Sequence, residues 1–116
     1  MIEETILQFL QEKLNALDPP VPVYMERPET LPAKYVILEK TGSGEENKIY
    51  SATFAAQSYA PSLYEAAALN DMLKSYMENL PDERDVSACD CNSDYNYTDP
   101  ETRDYRYQAV FELTHY

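Results

Sequence analysis

The sequence predicts a single α+β domain in which a mixed, mostly antiparallel sheet is covered by two helices. Three observations predict it. A long alternating run, Lys48 to Tyr59, feeds through Ala60-Pro61 into Ser62 to Leu80, where apolar residues recur at helical spacing. A second amphipathic stretch opens the chain, and two more alternating runs close it. The length of 116 residues, with 44% hydrophobic residues, supports one core and not two. The predicted order is α-β-β-β-α-β-β.

Met1 to Leu17 reads as a helix, since Ile2, Ile6, Phe9, Leu10, Leu14 and Leu17 form one stripe. Glu3 and Glu4 near its start and Lys13 near its end suit the helix dipole, and Asp18-Pro19-Pro20 stops it. Val21 to Met25 reads as a short edge strand, because Pro22 cannot donate to a ladder. Glu26 to Ala33 is a proline-punctuated loop, and Tyr35 to Lys40 is a compact apolar strand. Thr41 to Asn47 holds both glycines of the chain and reads as a flexible hairpin tip. A phosphate loop is disfavoured there, because Gly42-Ser43-Gly44-Glu45-Glu46 lacks the Lys and Ser/Thr of a P-loop and its carboxylates would repel a phosphate.

In the central strand, Tyr50, Ala52, Phe54 and Ala56 share one face. The helix that follows carries Leu63, Ala66, Ala67, Asn70, Leu73, Tyr76, Met77 and Leu80, a stripe with one polar member. Ser62 and Glu65 form a capping box after Pro61, and Pro81 blocks continuation. Pro81 to Asp85 reads as a charged turn. Val86 to Tyr97 reads as a strand with Ser87, Cys89, Cys91, Ser93, Tyr95 and Tyr97 on one face. Asn92 to Asp104 is polar, acidic and aromatic, with a turn at Thr98-Asp99-Pro100-Glu101. Tyr105 to Tyr116 is the last strand, so the two final strands make a hairpin with an acidic tip.

The charge balance is the unusual total: 9 Lys and Arg against 21 Asp and Glu give −12. Such a chain repels phosphate backbones and anionic membranes, which argues against nucleic-acid groove binding and membrane adsorption. No apolar run nears the ~20 residues of a membrane span. Glu3 and Glu4 stand where a secretory signal carries basic residues, so the chain reads as cytosolic. The 11 tyrosines, against 3 phenylalanines and no tryptophan, suit half-buried faces and interfaces, and equally the plain preference of β-rich domains for tyrosine.

Groups that would carry chemistry are sparse. Cys89 and Cys91 sit two apart on a strand, roughly 6.6 Å between Cα atoms, which would strain a disulfide. They read as two free, partly buried thiols. A metal site wants four ligands, and the single histidine, His115, belongs to the other end of the final strand. Asp90, Asp94, Asp99, Glu101 and Asp104 offer hard oxygens, but their spacing matches no calcium loop. No catalytic group, cofactor-binding residue or metal ligand is expected.

The helix Ile2 to Leu17, the strand Tyr35-Val36-Ile37-Leu38-Glu39, the long strand and helix Lys48 to Leu80, and the closing Tyr107-Gln108-Ala109-Val110-Phe111-Glu112-Leu113 together resemble one family. The chain is similar in this pattern to the tail-terminator, or tail-completion, proteins of long-tailed bacteriophages and prophages. The pattern spans essentially the whole chain and is one of element order and acidity, not a signature motif. What the resemblance implies is a non-enzymatic virion protein, assembled in the host bacterial cytoplasm and placed at the tail–head junction. It would form a ring, hexameric by that likeness, that caps the tail tube, stops its polymerisation and joins it to the head–tail connector. DNA would pass through without specific binding, since a lining rich in carboxylates keeps the phosphate backbone off the wall. Two mobile tips, Gly42 to Asn47 and Asn92 to Asp104, would order on neighbours. The interface candidates are therefore Gly42, Ser43, Gly44, Glu45, Glu46, Tyr95, Tyr97, Asp99 and Glu101. Alternatives are another head–tail connector or minor capsid protein, an acidic DNA-mimic inhibitor, a small ligand-binding or enzymatic α+β domain, and a monomeric adaptor.

Overall fold

The computed structural model describes residues 1–115; Tyr116, predicted to end the last strand, lies outside the described residues. The elements run α1 (Ile2–Asn15), β1 (Val23–Tyr24), β2 (Tyr35–Glu46), β3 (Ile49–Tyr59), α2 (Leu63–Glu78), α3 (Leu80–Glu83), β4 (Val86–Asn96) and β5 (Arg106–His115). The described residues form an α+β domain with a mixed five-stranded sheet and three helices. The strands are ordered β1-β2-β3-β5-β4, with β1 and β2 parallel and every other pair antiparallel. β3 is therefore the middle strand, paired along nearly its whole length on both sides.

Alternation along the strands decides which face is buried. Val36 and Leu38 of β2, Ala52, Phe54 and Ala56 of β3, and Ala109, Phe111 and Leu113 of β5 form one apolar face. The α1 stripe (Ile2, Ile6, Phe9, Leu10 and Leu14) and the α2 residues Leu69, Leu73 and Met77 pack on that same face in one continuous core. Each fully buried large side chain contributes about 1.5–3 kcal/mol. On α2, Leu69 lies in the buried stripe, whereas Leu63 is exposed. Asn70, the polar member of the stripe, is indeed buried.

The start of α2 follows the expected chemistry with one difference. Ser62 Oγ accepts from the Glu65 amide at 3.2 Å, while its hydroxyl donates to the Glu65 carboxylate at 2.9 Å. Glu65 thus reaches back to the serine side chain and not to its amide; a cap of this kind is worth about 1 kcal/mol. At the other end the chain re-forms a helical turn instead of the expected plain turn. Pro81 sits in the first turn of α3, where a missing N–H costs nothing. Lys13–Glu83 and Arg84–Glu12 ion pairs tie this turn to α1, with Lys13 and Arg84 both lying over the Phe9 ring. Pro22 also fits its place at the sheet edge: its carbonyl accepts from Val36 N at 3.0 Å, and no donor is asked of it.

The glycine-rich segment departs from expectation. Thr41 to Glu46 is not a loop but the outer half of β2, continuing the ladder with β3 as far as Glu46 and Ile49. The turn is only Asn47-Lys48, both left-handed at φ 52° and 65°, the backbone of a two-residue hairpin loop. Neither glycine has a positive φ. A Cβ on Gly42 would meet Thr53 at an ordinary 3.8 Å, whereas one on Gly44 would press on Ser51 Oγ at 3.0 Å and make that side chain shift. The second expected mobile stretch shrinks likewise, since Asn92 to Asn96 belongs to β4 and an Asp99–Asp104 bridge closes the following turn.

Candidate interaction surfaces

The helices pack on one face of the sheet, and the opposite face carries a second, smaller buried cluster of Tyr35, Ile37 and Tyr59. Register places residues there in rows. Tyr35, Tyr59 and Arg106 form one row, and Ile37, Gln57, Gln108 and Tyr95 form the next. Tyr35 and Tyr59 stack at 4.5 Å with their rings 9° apart, and both are 3% exposed. Arg106 covers them: its Nη1 donates to the Tyr59 hydroxyl at 3.0 Å and its Nε to the Tyr97 carbonyl at 2.7 Å. The guanidinium also lies 4.7 Å from the Tyr97 ring centre and 5.6 Å from that of Tyr59, within cation–π range. Tyr97 in turn meets Tyr95 edge to face at 5.9 Å.

The nine interface candidates fall into two groups at opposite ends of the sheet. Gly42, Ser43, Gly44, Glu45 and Glu46 lie on the β2–β3 arm, whose register meets the β5 end at Tyr50 and His115. Residues 43 to 51 are all exposed there, including Ile49 and Tyr50. Tyr95, Tyr97, Asp99 and Glu101 lie at the other end, where Tyr59 pairs with Arg106. Nine residues of β3 separate the two ends, roughly 30 Å along an extended strand. In the turn, Asp99 Oδ1 accepts from the Glu101 amide at 2.9 Å. That backbone hydrogen bond holds the Asp99 carboxyl below its ordinary range.

Sequence reasoning missed the residues that organise this second end. Arg27, Asp99, Thr102, Arg103, Asp104 and Arg106 surround an open cavity of about 400 Å³. Arg27 pairs with Asp104 at 3.4 Å across 77 residues of sequence, which no local pattern reveals. The only local signal is Arg103-Asp104-Tyr105-Arg106, a basic interruption in an acidic stretch.

On the helix side, β4 carries a bulge between Cys91 and Ser93 that shifts its alternation. Asp94, not Ser93, therefore shares the inner face with Cys89 and Cys91. Its Oδ2 accepts from Asn70 Nδ2 at 2.9 Å and from Lys74 Nζ at 3.1 Å. The hydrogen bond to Asp94 raises the Lys74 ammonium above its usual value. Tyr95 is carried to the open face, where its hydroxyl accepts from Gln108 Nε2.

The two thiols are free, as expected, but unequal: Cys89 is half-buried and Cys91 exposed. Burial pushes Cys89 up to about 12, with Asp90 and Cys91 adding to the shift. Cys91 is also raised, chiefly by desolvation and then by Asp94. A raised value keeps the thiol protonated and unreactive at neutral pH. Iodoacetamide at pH 8 is therefore expected to modify Cys91 slowly and Cys89 only after unfolding. Intact-mass analysis checks this, and equal native labelling of both would contradict the placement. His115 is stacked on Tyr50 at 5.6 Å. Among the described residues no group of three or more His, Cys, Asp or Glu side chains is placed to hold a metal ion. No helix among them is long and apolar enough to cross a membrane.

No protein-family model matches this chain, and no curated protein matches it.

Proposed function

We propose that this chain is a non-enzymatic structural protein that works in a ring of its own copies, as a tail terminator does. The ring would cap a tail tube, stop its growth and offer a second surface to a head–tail connector at the tail–head junction of a virion. The observation that carries the reading is the pair of exposed surfaces at opposite ends of one sheet. A subunit of a closed ring touches a copy on each side and so needs two different patches, one at each end of a shared scaffold. The continuous core under β2, β3 and β5 supplies that scaffold.

Charge supports the same reading. With a formal charge of −12, the chain would present DNA with a wall that repels it and leaves it free to slide. Pairing consumes only some of the acids: Glu3, Glu12, Glu65, Glu83, Asp94 and Asp104 have a basic partner among the described residues.

The test is tube growth. Tail-tube protein polymerised with and without this chain should give short, capped tubes in its presence, with ring-shaped density at one end in electron micrographs. Tubes of unchanged length distribution would remove the proposal.

A further inference from the structure

We propose that the arginine-lined cavity at the Tyr59 end of the sheet receives the glutamate-bearing β2–β3 arm of a second copy, so that copies join head to tail. The inference deepens the ring reading and rests on it for the premise that copies meet. Three of the four arginines in the chain, Arg27, Arg103 and Arg106, surround this one cavity. In a chain so acidic, that concentration marks a place where negative charge is received.

The acids in its wall are already engaged. Asp104 faces Arg27, and Asp99 caps its own turn through the Glu101 amide. Arg106 is fixed between Tyr59 and Tyr97 by two hydrogen bonds. Arg103, at φ 56° where the turn closes, has no ion pair among the described residues. The hydroxyl of buried Tyr35, whose ring stacks on Tyr59, has no hydrogen-bond partner among the described residues. An incoming carboxylate would accept from Arg103 in the two-pronged geometry that guanidinium favours.

The arm has the complementary chemistry. Glu45 and Glu46 stand beside its two-residue tip, and neither has a basic partner among the described residues. Exposed Ile49 and Tyr50 opposite them supply apolar contact. The donor and acceptor surfaces differ and lie at opposite ends, so each copy keeps one of each free. That is a heterologous contact, which closes into a ring when the rotation between copies allows.

Paired charge reversals test it on the full chain. Arg103→Glu makes the cavity repel the arm, and Glu45→Lys with Glu46→Lys makes the arm repel the cavity. Sedimentation of the unaltered chain should show self-association that weakens with salt. Each reversed variant, with unchanged circular dichroism, should associate about tenfold or more weakly. An equimolar mixture of the two variants should recover association, because a reversed arm fits a reversed cavity and the unaltered pair remains. A chain that stays monomeric at every concentration overturns the contact. So do reversed variants that associate normally, or a mixture that stays apart. Copies that join in this way but leave tube growth untouched would keep the contact and remove the tail-terminator reading. Capping that survives both reversals would do the opposite.

Discussion

Replacing Phe54 by alanine is expected to lower the unfolding free energy by about 3–5 kcal/mol. Phe54 has no exposed surface, lies on the middle strand and faces the helices beside its cross-strand neighbour Phe111. Cutting the ring away loses its transfer energy and leaves a hole that neither helix fills without distorting the Ala52 and Ala56 contacts on either side. A domain of this size has roughly 5–15 kcal/mol in total, so the variant should sit near the edge of folding. Urea unfolding measures it as a fall in midpoint at similar slope. Tyr64→Ala on the outer face of α2, where the side chain is 83% exposed, should change stability by no more than about 0.5 kcal/mol. A Phe54 loss as small as the Tyr64 one would mean that the core is not centred on β3.

That contrast also explains what could be read in advance. The α1 stripe, the Ser62 cap and the inner face of β3 depend on spacings within one element, so periodicity reveals them. Gly42 and Gly44 misled because composition marked a break, whereas Ser51 and Thr53 on β3 offered ladder partners that carried the strand past both glycines. The true turn needed left-handed residues, and Asn47 is one of the few non-glycine types that accepts that backbone readily. On β4 strict alternation predicted Ser93 beside Cys91, but a bulge inserted there exchanges Ser93 for Asp94. A bulge is set by what the strand must meet, here Asn70 and Lys74 on α2, and local sequence does not record it. The arginine cavity was hidden for the same reason: Arg27 reaches it only through the folded chain.

Asn70→Asp is expected to be destabilising by about 3 kcal/mol at pH 7, because it buries a second negative charge against Asp94. Asn70 is 1% exposed; its Nδ2 donates to Asp94, and its Oδ1 has no partner among the described residues. The substitution removes the donor and sets two carboxylates face to face, with only Lys74 nearby on the Asp94 side. Its pH dependence has a definite sign. Burial and the like charge raise the pKa of the introduced carboxyl in the folded state above its unfolded value of about 3.9. Below that unfolded value both states are protonated, and the acid can donate to Asp94 as the amide did, so the penalty is absent. As pH rises from there toward the raised folded value, the native state holds more protons than the unfolded one and stability relative to the parent falls; above it the loss is constant. Asn70→Leu separates charge from shape: it deletes the donor and the orphaned oxygen together, leaves Lys74 on Asp94, and should show no such pH dependence. Urea midpoints of the three proteins between pH 4 and 8 check it, and an aspartate penalty that stays the same throughout would place residue 70 in contact with solvent and undo the pairing with β4.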